Sequence, residues 1–161
     1  MNKKQFVCDK IIEFDKYLAN VKIGVPDNFK IINPFNSDSK YKTNQVVEAF
    51  YHKFYSDNKK RRMILGSSPA RKGTAVTGVP FEDAAHLQKE TGIYIDDFYV
   101  NKASSNFLYD VIETYGGCKK FYNDFYMNFV CPLGIVRVNS KDNEVNCNYY
   151  ENKKLMMSLY D

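Results

Sequence analysis

The hydrophobic pattern of the chain switches several times between helical and strand periods. Val7, Ile11, Phe14, Leu18 and Val21 recur in steps of three and four, with Lys, Asp and Glu between them. That is the stripe of an amphipathic helix lying on a core. From Ile23 to Tyr41 the period is lost, and Gly24, Pro26, Pro34 and the run Asn36-Ser37-Asp38-Ser39 read as irregular chain. A second helix is expected from Thr43, an N-cap residue, to Tyr55, with Val46, Val47, Phe50 and Phe54 inward. Arg62 to Gly66 reads as a strand. Glu82 and Asp83 suit the start of a further helix and Gly92 its end. Ile93 to Tyr99 is apolar around an Asp96-Asp97 break, a short strand or a loop. Ser104 or Ser105 is expected to cap a helix that turns Phe107, Leu108, Val111, Ile112 and Tyr115 inward and stops at Gly116-Gly117. Phe125 to Cys131 reads as a second buried strand closed by Pro132. Val136 to Val138 and Glu144 to Tyr149 suggest a hairpin around Ser140 to Asn143, and Glu151 to Tyr160 is helix-like. Helices alternating with strands, without repeats or linkers, predict one α/β domain over residues 1–161, its parallel central sheet flanked by helices.

Between the first strand and the helix at Glu82 lies the most informative stretch, Leu65 to Phe81, L-G-S-S-P-A-R-K-G-T-A-V-T-G-V-P-F. A strand, a long glycine-punctuated loop and a helix, in that order, is where α/β proteins bind ligands. Loops of this length in compact domains are usually functional. The loop has neither G-x-x-x-x-G-K-[ST] nor a regular G-x-G-x-x-G, which argues against a phosphate cradle of a small-molecule enzyme.

Gly66 to Phe81 resembles, without gaps, the first active-site motif of the uracil-DNA glycosylase superfamily, in its single-strand-selective monofunctional branch and bacterial relatives. That pattern reads roughly G-M-N-P-G-P-F-G-x-x-Q-T-G-V-P-F, and Thr77-Gly78-Val79-Pro80-Phe81 keeps its end intact. Lys102-Ala103-Ser104-Ser105-Asn106-Phe107 is similar to the family's small-residue segment opening a helix, and Asn128-Phe129-Val130-Cys131-Pro132-Leu133 to its N-x-C-P-L strand end. Ile31-Ile32-Asn33-Pro34-Phe35 resembles an upstream N-P-F element of the bacterial relatives. The likeness spans most of residues 25 to 133.

The resemblance implies a protein that turns a nucleotide out of DNA and breaks its C1′–N1 bond, without a cofactor or metal. Phe81 would stack on the base, beside Gly66 and Ser67. Asn128 or a close neighbour would read its edge, because the spacing back from C-P-L is one residue longer than the pattern. Arg71, Lys72 and Gly73 in the loop, with Ser104 and Ser105 at the helix start, would hold DNA phosphates. Ser68 stands where the family carries its water-positioning asparagine and so takes the catalytic position. A serine hydroxyl can hold a water but is no base near neutral pH. Glu82 and Asp83 are the nearest carboxylates, and helix-capping charge explains both. The family's second motif, a histidine before proline that donates to uracil O2, has no match. His52 and His86 both precede other residues and fall within helical patterns. The expectation is a domain that apparently lacks its C-terminal part, either truncated or with that half of the site lost. Its excision activity would be weakened, and a non-catalytic module sensing base lesions is the alternative.

Composition changes this picture little. A net charge of +4 leans toward a polyanion such as DNA. The run Lys59-Lys60-Arg61-Arg62 is a phosphate-steering candidate or a solvated helix end. Thirteen Tyr and twelve Phe serve a core first and base stacking second. No segment reads as a leader or a membrane span. Cys8, Cys118, Cys131 and Cys147 are scattered, a spacing that argues against iron–sulfur or zinc ligation and for reduced thiols in a cytoplasmic monomer.

Overall fold

The computed structural model describes residues 5–36, 43–95 and 102–160, the side chains of 102–104 excepted. Helix α1 (Val7–Ala19), strand β1 (Phe29–Ile32), helix α2 (Thr43–Tyr55) and strand β2 (Arg62–Gly66) lead into the glycine loop. The loop holds the short α3 (Thr74–Thr77) and ends at α4 (Ala84–Thr91). Then come α5 (Lys102–Tyr115), α6 (Cys118–Asp124), β3 (Phe125–Phe129), β4 (Gly134–Val138), β5 (Glu144–Asn146) and α7 (Lys153–Ser158). The α/β class is as expected. Among the described residues the parallel sheet comprises β2 and β3, and a second, antiparallel sheet runs β1-β4-β5.

Strand β1 lies inside the stretch that the sequence presents as irregular. Four residues between Pro26 and Pro34 are too few to show an alternating period. They become a strand because β4 offers them an edge, with Phe29 opposite Arg137 and Ile32 opposite Gly134. Phe29 and Ile135 bury a small core there with Cys147 and Leu155. The hairpin of β4 and β5 is as expected, its turn closed by the Asn139 carboxamide, which accepts from Lys141 N at 2.9 Å and Asn143 N at 3.0 Å.

The larger core is built around α2, whose Val46, Val47, Phe50, Tyr51 and Tyr55 are buried. Phe50 meets Tyr122 of α6 edge-on at 5.1 Å. Helix α4 begins and ends where expected: the Asp83 carboxylate accepts from His86 N at 2.9 Å, and Gly92 closes it with φ 74°. Two helices bury most of the face that apolarity indicates, shifted toward one side. On α1, Ile11 and Leu18 are buried and Val7 and, just past the helix end, Val21 pack against the core, while Phe14 is exposed and Cys8, Ile12 and Asp15 are buried instead. On α5, Ile112 is buried and Leu108 and Tyr115 pack against the core, while Phe107 and Val111 are exposed and Ser105 and Tyr109 are buried instead. The neighbour against which each helix packs decides which edge of the stripe is covered. The buried strand expected over Phe125 to Cys131 is shorter and only partly buried, with Met127 buried and Val130 exposed, and on its partner β2 Met63, Ile64 and Leu65 are exposed.

Of the basic run, Arg61 is structural: its guanidinium grips Asp57 through both terminal nitrogens, each at 2.9 Å, and donates to Tyr122 O at 2.7 Å. The run also ends at the first residue of β2, roughly 15 Å along a five-residue strand from the loop. The reading of a strand or loop over residues 96–99 lies outside the described residues, as does most of the Asn36–Ser39 turn.

Candidate active site

Parallel pairing brings the two motif segments side by side. Gly66 lies opposite Phe129 and Leu65 opposite Asn128. The ladder runs on past both strands, with Val130 N donating to Gly66 O at 2.9 Å and Cys131 N to Ser67 O at 3.0 Å. The glycine at position 66 is required by what flanks it. A Cβ there would come within 2.7 Å of the Phe129 ring and 2.8 Å of the Phe81 ring. Those two rings stack, with centroids 4.8 Å apart and planes at 24°.

Phe81 itself has φ 63°, a left-handed conformation that is costly for an aromatic residue. Its amide donates to the Thr74 hydroxyl at 2.9 Å, which fixes the ring at the mouth of the loop. Gly78 gives the loop its turn at φ 74°, packed so closely on Thr43 and Val47 that a Cβ would meet both within 3 Å. Asn128 is half-buried; its amide nitrogen donates to the Tyr126 hydroxyl at 2.8 Å and its oxygen accepts from Phe129 N at 2.8 Å.

The start of the loop is held from the far end of the chain. The Ser67 hydroxyl donates to the Asn148 side-chain oxygen at 2.8 Å, and Ser68 Oγ accepts from Tyr149 N at 3.3 Å. Arg71 N donates to Asn146 Oδ1 at 2.9 Å. Glu151 in turn accepts from the Asn148 side chain at 2.8 Å.

Gly66, Ser67, Ser68, Phe81 and Asn128 are thus assembled in one place. The phosphate candidates are less uniform. Lys72 is exposed, Arg71 is half-buried with its guanidinium 3.8 Å from Glu144, and the buried Gly73 spends its amide on Ala70 O at 3.0 Å. Ser105 does not cap α5, which begins three residues earlier. Its hydroxyl is buried and bonds Asp83. The Ser104 side chain lies outside the described residues.

The nearby carboxylates are engaged structurally. Asp83 caps α4 and pairs with the His86 ring at 2.7 Å. Burial raises its pKa, but the His86 amide, the Ser105 hydroxyl and the His86 ring outweigh that and hold it below the usual range. His86 stacks on the Tyr109 ring. Glu82 is no cap. It is buried, accepting hydrogen bonds from Tyr109 at 2.5 Å and from Tyr122. Burial pushes its pKa up to about 7, and the two phenols restrain the rise.

One residue of the site carries no sequence motif. Asp15 of α1 lines a small cavity with Tyr51, Thr74, Gly78, Asn128 and Phe129. It is only 9% exposed, and burial lifts its pKa to about 8. The available signal was spacing: Cys8, Ile11, Asp15 and Leu18 follow the same three-four rhythm as the apolar stripe beside them.

Among the described residues one group has metal-ligating chemistry, Cys8, Asp9 and His52, with ligand atoms within 4.8 Å of one another. It sits at the amino end of α1, about two helical turns from Asp15, and Asp9 there already accepts from Phe6 N at 2.9 Å. No helix among the described residues is long and apolar enough to cross a membrane.

No family model and no curated protein matches the chain. Among solved structures it is similar to the crystal structure of WT SMUG2 from Pedobacter heparinus, with a TM-score of 0.86 and 38% identity over 97% of this chain. It spans 66% of that chain, just under two thirds of its length.

Proposed function

We propose, for a chain that belongs to the single-strand-selective monofunctional branch of the uracil-DNA glycosylase superfamily, a role in base excision: hydrolysis of the N-glycosidic bond of uracil or a related damaged base in DNA. One observation carries this reading. The Gly66–Phe81 loop and the Asn128 segment meet at the carboxyl ends of two paired parallel strands, so stacking and edge-reading groups share one site.

In this reading the target nucleotide leaves the stack and its base enters beside Phe81, which needs no sequence match to stack. Asn128 supplies an amide to the base edge once its local bonds to Tyr126 and Phe129 are exchanged. Ser68 holds the water near C1′. Because a serine orients a water without deprotonating it, most of the rate enhancement comes from stabilising the leaving base. Lys72 and Arg71, at the outer turn of the loop, meet the phosphates.

The test is base release from a labelled single-stranded oligonucleotide with one uracil, read by alkaline cleavage of the abasic site, with thymine in place of uracil as control. Uracil-dependent cleavage that drops in Phe81→Ala is expected. Uracil-selective binding without cleavage would replace the enzyme by a base-sensing module. Absence of both would leave the family's fold without its function.

A further inference from the structure

Asp15 is an anomaly that the fold does not explain. Buried polar groups are almost always hydrogen-bonded, yet its Oδ2 is sealed from solvent and has no hydrogen-bond partner. No lysine or arginine pairs with it among the described residues, and its neighbours from α2 and β3 are the phenols of Tyr51 and Tyr126. The cavity it lines also touches Thr74 of the motif loop and Asn128 at the end of β3. The space is about 10 Å³, room for roughly one water. An oxygen-sized void walled by a carboxyl, a threonine and the candidate base-reading asparagine is the shape of a site for a single carbonyl oxygen.

We propose that Asp15 is a catalytic residue of the excision site, its carboxyl O–H donating a hydrogen bond to the ring carbonyl oxygen of the departing base. This rests on the glycosylase reading above. When C1′–N1 breaks, its electron pair leaves on the base and negative charge spreads to that oxygen. Water adds to C1′ and gives up a proton, and the base anion takes one up, so the products are the abasic hydroxyl and the neutral base. A donor already aimed at the developing charge in a dry site lowers the barrier without reorganising. A carboxylic acid can play this part only while it is protonated, and an apolar surrounding keeps it so. Burial does that here, moving Asp15 to about 8. The same burial raises Tyr51 and Tyr126 further above their ordinary range, so neither titrates where Asp15 does.

The experiment is single-turnover uracil release by wild type, Asp15→Leu and Asp15→Asn across pH 6 to 9. Asp15→Leu removes the donor and is expected to lose about a hundredfold or more in the chemical rate, with little change in oligonucleotide affinity. Asp15→Asn keeps an N–H donor and should retain much of the rate. The wild-type rate should fall as pH passes about 8, and this fall should be missing from Asp15→Asn. An Asp15→Leu rate equal to wild type overturns the inference and leaves the glycosylase reading intact. An alkaline fall that persists in Asp15→Asn also overturns it, and this arm holds even if the leucine variant fails to fold. A wild type that neither releases nor selectively binds uracil overturns the glycosylase reading, and the inference with it.

Discussion

Glu82 and Asp15 are both carboxyl groups taken out of water, and the protein treats them oppositely. Glu82 sits between α4 and the phenols of Tyr109 and Tyr122, with both of its oxygens satisfied. Asp15 faces an oxygen-sized void with Oδ2 unmatched. Burial raises both, to about 7 and about 8. A satisfied buried acid is part of the architecture, because removing it strands its partners. An unsatisfied one costs stability, so its presence is better explained by a ligand than by the fold. The pair therefore separates a carboxyl that holds the structure from one that the structure holds ready.

The comparison breaks most easily at Glu82. Glu82→Leu leaves two buried phenolic hydroxyls without an acceptor and should cost about 3–5 kcal/mol, read from the midpoint and slope of a urea titration. Asp15→Leu, at a site nearly as buried, should be neutral or stabilising by up to about 2 kcal/mol, since no partner is stranded. A loss of comparable size to that at Glu82 would make Asp15 a structural group after all. The two also separate by pH. Each acid binds its proton more tightly folded than unfolded, so each contributes stability below its unfolded pKa that is lost as pH rises through its folded one. Stability should fall from about pH 4 to 8, by at most about 1.4 kcal/mol per pH unit per group. The portion between about 7 and 8 belongs to Asp15 alone. Thermal melts of Asp15→Asn should flatten that last portion and lessen, without removing, the slope below it, which Glu82 keeps. A smaller loss than at Glu82 is expected at Asp83→Ala, which removes the α4 cap and the partner of the buried Ser105 hydroxyl and should cost about 1–3 kcal/mol by the same titration.

How far the sequence revealed this molecule depended on whether a signal was local. Arg62 to Gly66 was legible as a strand because basic residues and a glycine bound a short apolar run. The capping Asp83, the stop at Gly92 and the Ser140–Asn143 turn are all decided by backbone chemistry within a few residues. The meeting of Phe81 with the Asn128 segment was legible only through resemblance, since strand pairing across some 60 positions leaves no mark on either strand. On α1 the sequence misplaced one edge of the stripe for a related reason. Intrinsic apolarity favours Phe14 over Asp15, yet Phe14 is exposed and Asp15 buried. What lies against that edge is made by α2, the loop and β3 and cannot be seen from α1 alone. Strand β1 was hidden because it forms only against β4, about 105 positions later.

The anchoring of the loop sets an order in time. Ser67 is bonded to Asn148 and Ser68 to Tyr149, each pair 81 positions apart. On a ribosome adding roughly 5–20 residues per second, the loop therefore waits on the order of ten seconds for its anchor. During that interval the exposed Met63, Ile64 and Leu65 of β2 also lack β3 beside them. The nascent chain thus carries an apolar strand without its partner until residues 125–129 have been made.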